Sequence, residues 1–242
     1  MQLYCLSTAP INTMSETIEL QASDGQILSA YVARPSEEPT GGLVVIQEIF
    51  GVNAHIREVT DQWARHGFLA IAPALFDRIE KNVQLTYEGE DRVRAMEFMK
   101  KLNFGNAIRD VDAAVQWARK NSGKKTGVVG YCLGGTLAWL AAARLDVDAA
   151  VGYYAGGIDR FAEEEPKAPV TLHFGSLDTH IPKESVDKVK KAHPEAQIFW
   201  YEAGHAFARN VGLSYDPEAA QLANKRSLAF LTASLQLRRS TL

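Results

Sequence analysis

Three residues of this 242-residue chain have types and an order suited to nucleophilic acyl chemistry: Cys132, Asp178 and His205. Cys132 is the centre of Gly130-Tyr131-Cys132-Leu133-Gly134, between an apolar run ending at Tyr131 and a stretch rich in small residues. The Gly-x-Cys-x-Gly pattern fits a strand that turns abruptly into a helix. There the positions two before and two after the apex approach neighbouring backbone, and a side chain at either would collide. The apex side chain is then held up at the carboxyl end of the sheet, where open α/β folds bind ligands. A thiol in that place meets a helix N-terminus, whose partial positive charge favours thiolate. The same five residues also suit a small buried cysteine with glycines that permit close packing. The motif alone does not separate the two.

Its partners are what favour chemistry. Asp178 follows the strand-like "VTLHFGSLD" and His205 follows "IFWYEAGH", so both fall just past carboxyl ends, on the rim that carries Cys132. The order Cys, Asp, His is the nucleophile–acid–base order of the α/β-hydrolase arrangement. In it His205 takes the proton of Cys132, directly or as an ion pair, and Asp178 fixes the tautomer of the imidazole. Taken singly, each has a plainer reading. An aspartate after Gly-Ser suits a turn, and the chain has six histidines. His180 is an alternative base, but it stands two residues from Asp178 on the same loop. An Asp–His–Cys line is harder to build from there, so His205 is preferred.

The elements around these residues read as alternating strands and helices. "TIELQAS" and "ILSAYVARP" alternate apolar and polar residues about Asp24-Gly25, the pattern of an antiparallel hairpin. Continuous apolar runs at 42–51 and 68–75 predict strands buried on both faces. Ile56, Val59 and Trp63 recur at helical spacing, as do Ile108, Val111, Val115 and Ala118. Residues 77–91 read as a polar loop and 92–101 as a helix. Beyond Cys132 the pattern continues as helix, strand, strand, helix (183–193) and strand. A closing helix over 216–231 has Asp216 as cap and Pro217 in its first turn. The expected fold is α/β, with a mostly parallel central sheet, helices on both faces and an antiparallel N-terminal hairpin. Residues 14–242 are expected to form one domain, and residues 1–13 an extension ahead of a start-like Met14.

Composition narrows the function classes. With 46% hydrophobic and 23% charged residues and a formal charge of −3, the chain lacks the basic footprint of a nucleic-acid binder. Its dense basic cluster, Lys188, Lys190 and Lys191, reads as a solvated helix face. Two cysteines make no disulfide framework, no zinc spacing is present, and Cys5 lies in the tail. No apolar run approaches the roughly 20 residues needed to cross a bilayer. No signal peptide is apparent either. A cytoplasmic, cofactor-free and metal-free protein is expected, acting alone or as a small homo-oligomer on a small molecule.

"QEIFG", "GYCLGG", "VGYY", "LD" before "IP", and "AGHAFAR" together resemble the dienelactone hydrolase family of the α/β-hydrolase superfamily, over about residues 15–235. The resemblance implies Cys132 as nucleophile, His205 as base and Asp178 as its orienter. It also implies that Glu48 contacts the resting nucleophile, which looks odd because a carboxylate should disfavour a thiolate. One reading is that Glu48 keeps the thiol protonated and accepts its proton when substrate arrives; the other is a structural carboxylate bonded to backbone or an arginine. The backbone N–H of Leu133, after the nucleophile, is one oxyanion donor, and the likeness points to Ile49 for the other. It further implies that Arg78 and Arg209 hold a substrate carboxylate, as guanidinium groups do through paired hydrogen bonds, unless both are solvated surface residues. Tyr153 and Tyr154 are placed near the site, with core packing an equal account of at least one. The activity implied is opening of a carboxylate-bearing enol lactone through a cysteine acyl-enzyme, in breakdown of aromatic compounds. A broader ester or thioester hydrolase and a non-catalytic binding protein of the same fold are the alternatives.

Overall fold

The apolar runs become strands where they can be covered on both faces. In the computed structural model, which describes residues 14–236, β3 (Gly41–Ile46), β4 (Phe68–Pro73), β5 (Thr126–Tyr131), β6 (Ala149–Tyr153) and β7 (Val170–Gly175) are buried along their whole length. They pair in parallel, the arrangement for which unbroken apolar sequence is the expected signature. At the sheet's ends the pattern relaxes. β1 (Met14–Gln21) and β8 (Gln197–Tyr201) are the edges and are largely exposed or half-buried. β1 and β2 (Ile27–Arg34) form the antiparallel hairpin that the alternating sequence predicts. Residues 1–13, read above as an extension, lie outside the described residues, as does Cys5.

The eight strands take the order β1-β2-β4-β3-β5-β6-β7-β8. From β3 the chain crosses to β4 on one side, then returns to β5 on the other, so a topological switch point lies between β3 and β5. Ligands bind at such points, outside the carboxyl ends of the strands. Glu48 follows β3 and Cys132 follows β5. The strand predicted over 42–51 stops at Ile46 because Gln47 leaves the ladder, and its Oε1 accepts a hydrogen bond from the backbone of Leu75 at 3.1 Å. Glu48 and Ile49 are thereby free to form a turn.

Helices cover the sheet because their apolar stripes demand it. α1 (Ala54–Arg65) buries Ile56, Val59 and Trp63, and its cap Asn53 accepts from the Ile56 N–H at 3.2 Å. α2 (Gly89–Lys101) begins three residues earlier than the sequence suggests, with Glu90 and Asp91 in its first turn, where acidic groups suit the helix dipole. α3 (Phe104–Ser122) buries Ile108, Val111, Val115 and Ala118, and ends at left-handed Gly123 (φ 62°). α4 (Leu133–Arg144), almost wholly buried, packs against β3, β5, β6, β7 and α3. α5 (Lys183–Ala192) carries Lys188, Lys190 and Lys191 around a stripe of buried Val186 and Val189. α6 (Pro217–Gln236) starts where predicted, with Asp216 Oδ1 accepting from the Ala219 N–H at 2.9 Å. No helix among the described residues is long and apolar enough to cross a membrane.

Beneath the rim a buried polar chain joins four of these elements. His173 on β7 contacts the hydroxyl of Tyr201 (β8) through Nδ1 at 2.8 Å and that of Ser227 (α6) through Nε2 at 2.9 Å. Ser227 reaches Tyr153 (β6) at 2.7 Å, and the Tyr153 hydroxyl donates to Asn224 Oδ1 at 2.8 Å.

The turn at Cys132 depends on two glycines. A Cβ on Gly130 would stand 1.8 Å from the carbonyl oxygen of Gly134, and one on Gly134 would stand 2.3 Å from that of Ile46. Backbone on both sides is the obstacle, so neither clash is relieved by a side-chain rotation. Gly134→Ala is therefore expected to destabilise the protein by about 1–3 kcal/mol or more. Gly156→Ala, at a position with nothing within 4 Å of the added carbon, is expected to be close to neutral. Urea unfolding of the two variants checks the difference.

Candidate active site

Cys132 lies between β5 and α4 with φ 55° and ψ −113°, a conformation that residues bearing a Cβ avoid. Its N–H donates to the carbonyl of Tyr153 at 3.0 Å, and the first turn of α4 closes back on its own carbonyl. The side chain is half-buried, a free thiol at the end of the sheet. His205 Nε2 is 3.3 Å from Sγ, and His205 Nδ1 is 2.7 Å from Asp178 Oδ2. The three predicted side chains therefore form one continuous line. Asp178 is the anchored end: its carboxylate is 1% exposed, and Oδ1 accepts the backbone N–H of His180 at 2.7 Å.

The electrostatics follow from this line. Burial alone would raise the Asp178 carboxyl, but the hydrogen bond and charge of His205 outweigh it and hold the group below the usual carboxylate range. Burial alone would likewise strip the charge from His205. Hydrogen bonds to Asp178 and Cys132, with the negative charge each can carry, push its pKa instead from 6.5 up to about 10. The ring is thus held ready to keep a proton delivered from Sγ.

The other histidines take different parts. His173, buried in the polar chain described above, is forced down to about 3 by burial and the charge of Arg226, and is a neutral core residue. His180 is exposed, and its ring packs 5.1 Å from that of His205. It lies beside Asp178 and not between Asp178 and Cys132.

Glu48 sits in the turn after β3, 1% exposed, and its Oε2 has no hydrogen-bond partner. Among the described residues no arginine or lysine forms an ion pair with it, while a hydrogen bond to it from Tyr87 is one of the causes that raise that phenol. Its negative charge raises the phenols of Tyr87 and Tyr154 beyond the effect of burial. Arg209 acts on the same two rings in the opposite sense, and its guanidinium stacks 4.0 Å from the centre of the Tyr87 ring. Glu48 and Arg209 therefore flank one aromatic cluster at the rim. Leu133 opens α4, where a backbone N–H has no intrahelical acceptor. Ile49 is buried in the β3 turn, across the seam where Gly134 abuts Ile46.

Two expectations need correction. Arg78 is not available to a substrate. Its Nε and Nη2 donate to Asp110 at 2.8 and 2.7 Å, and its Nη1 and Nη2 donate to Asp24 at 2.8 and 2.9 Å. Asp110 is fully buried, and a buried carboxylate holds a guanidinium more firmly than a passing ligand would. Tyr153 is a core residue, stacked on Tyr131 and hydrogen-bonded to α6. Tyr154, at φ 38°, is the one whose ring lies 5.2 Å from His205, and its buried hydroxyl has no partner among the described residues. Adjacent tyrosines at a strand end point to opposite sides, and sequence alone does not say which faces the rim. Tyr87, in the polar loop, was not singled out at all. Its signal is weak, a lone aromatic before a helix.

A sheet of this topology with the residues above at its carboxyl end defines an α/β-hydrolase fold. The profile of the dienelactone hydrolase family matches residues 28–235. The carboxymethylenebutenolidase of Pseudomonas putida is 38% identical over 227 residues, 90% of this chain and 96% of that protein. Carboxymethylenebutenolidase 1 of Cupriavidus pinatubonensis is 30% identical over 226 residues, 90% of this chain and 97% of its own length. Among solved structures, a candidate dienelactone hydrolase of Klebsiella pneumoniae superposes with a TM-score of 0.80 at 30% identity, covering 91% of this chain and 99% of that one. The chain belongs to the dienelactone hydrolase family, and is a hydrolase.

Because folding favours protonated His205, its contribution to stability is present in full below about pH 6.5 and is lost as pH rises through about 10. The wild type's margin over His205→Gln in urea midpoint should narrow across that window. A margin that is flat or widens there would contradict the assigned partners.

Proposed function

We propose that the protein opens an enol lactone bearing a carboxylate, through an acyl-thioester on Cys132. The observation that carries this reading is the line from Asp178 through His205 to Sγ, with distances of 2.7 and 3.3 Å. Sγ attacks the lactone carbonyl as its proton passes to His205 Nε2. The carbonyl oxygen gathers negative charge between the N–H groups of Leu133 and Ile49. Collapse breaks the ring C–O bond and expels an enolate, which His205 reprotonates. Water then enters, His205 Nε2 takes its proton, and hydroxide displaces Sγ to give the acid.

The nucleophile selects the substrate class. From a tetrahedral intermediate a thiolate leaves more easily than an alkoxide, so turnover requires a leaving group as good as an enolate. Simple alkyl esters return to starting material. Arg209 supports an anionic substrate, because its guanidinium at the rim has no carboxylate partner among the described residues, and it would take the substrate's carboxylate in paired hydrogen bonds. Curated relatives named carboxymethylenebutenolidase support the same class, and a place in aromatic-compound breakdown in the cytoplasm goes with it.

Glu48 is assigned the resting state: it keeps Sγ protonated until the substrate carboxylate draws Arg209 and changes the local charge. Its unpartnered Oε2 supports this.

Turnover of dienelactone isomers against aryl esters tests the reading. Wild type should prefer the enol lactones, Cys132→Ala should lose activity on both by on the order of 10³-fold or more, and Cys132→Ser should shift preference toward simple esters. A fully active alanine variant would dispose of the mechanism. For Glu48, iodoacetamide should alkylate Cys132 faster when a substrate analogue is bound, and Glu48→Gln should erase the difference. Equal rates in the wild type would sink the gating role.

A further inference from the structure

The Asp178 loop carries a residue that the proposed hydrolysis does not use. His180 is 64% exposed at its side chain, yet its Nδ1 lies 3.6 Å from Asp178 Oδ1, and its ring leans on the outer face of His205. One donor atom each from Asp178, His180 and His205 fall within 4.8 Å of one another. A tetrahedral zinc site with bonds of about 2.0–2.1 Å spaces its ligand atoms about 3.3 Å apart. His205 Nδ1 lies 2.7 Å from Asp178 Oδ2 and His180 Nδ1 lies 3.6 Å from Oδ1, so the two imidazoles stand on the two oxygens of one carboxylate. Two imidazoles and one carboxylate are donors suited to borderline divalent transition metals and not to magnesium or calcium. The exposed His180 ring can turn on its side-chain bonds, and the buried carboxylate beneath it supplies a fixed negative ligand.

We propose that Asp178, His180 and His205 form a reversible inhibitory site for a divalent transition metal such as zinc. The ion accepts lone pairs from His180, from Asp178 and from Nδ1 of His205, with water completing the tetrahedron. The Nδ1 proton passes to Nε2, which carries none in the resting neutral ring, so binding releases no net proton. An imidazole metallated at Nδ1 and protonated at Nε2 has no lone pair for a proton from thiol or water. His205 is thereby removed as a base while Cys132 stays unligated, because Nδ1 and Nε2 lie on opposite sides of the ring. The inhibition rests on the role proposed for His205; the binding does not.

Calorimetric titration of zinc chloride into chelator-treated wild type, Cys132→Ser and His180→Ala tests this directly. Wild type and Cys132→Ser should each take one ion per chain. His180→Ala should bind at least about tenfold more weakly, with its zinc inhibition weakened by the same factor and its hydrolytic rate in chelator unchanged. That variant keeps the backbone N–H that Asp178 accepts, so the loop geometry survives. Undiminished binding by His180→Ala overturns the proposal, as does a wild type that binds no zinc. Loss of binding in Cys132→Ser instead would place the ion on the thiol and also overturn it. Activity in chelator reports separately on the hydrolytic reading, so the two can fail independently.

Discussion

The backbone at Cys132 takes a conformation that a residue with a Cβ adopts only under constraint, and the site depends on that constraint. Gly130 and Gly134 allow β5 and α4 to close so tightly that Cys132 alone is left at the crest. The N–H to Tyr153 and the first turn of α4 then pin it from two directions. Strain of this kind, on the order of 1–3 kcal/mol, persists only where the surroundings over-determine it. Here they do, because α4 is buried against four strands and a second helix. A thiol on a looser turn would sample several positions, and the 3.3 Å approach to His205 would be lost among them.

Around that fixed point the charges are arranged in two groups. Asp178 and His205 share a hydrogen bond and stabilise each other's ionised forms. Glu48 and Arg209 form no ion pair among the described residues, and their charges act in opposite senses on the phenols of Tyr87 and Tyr154. A buried carboxylate with an unpartnered oxygen is costly, and Glu48 carries such an oxygen, Oε2, in the turn after β3, without a partner among the described residues.

Most of this was legible in the sequence wherever a residue's place followed from a strand end. Cys132, Asp178 and His205 each terminate a recognisable apolar run, so their common rim could be read before any coordinates. Glu48 and Arg209 were reached only through the family likeness. Arg78 was misread because its competitors, Asp24 and Asp110, are distant in sequence and come together only when the hairpin folds onto α3. The sequence does not tell Tyr153 from Tyr154, because one residue of register decides which faces the rim. The over-long strand at 42–51 failed for a similar reason: apolar character continued after the hydrogen-bonding ladder had ended, through a side chain, Gln47, that serves the neighbouring loop.

The buried polar chain from Tyr201 through His173 and Ser227 to Tyr153 and Asn224 stitches β6, β7 and β8 to α6. The segments that carry Asp178 and His205 rise from those same strands, so they behave as parts of one casting. Tyr87 belongs to a different kind of structure, a loop anchored at its start by Arg78 and tied beyond it at Gly51, Phe50 and Asn53 by a few hydrogen bonds. One side of the site is cast and the other is fitted, and the fitted side can be re-cut. A lineage can exchange the 79–88 segment, and with it the shape of molecule admitted, while Arg78 and the machinery opposite keep their alignment.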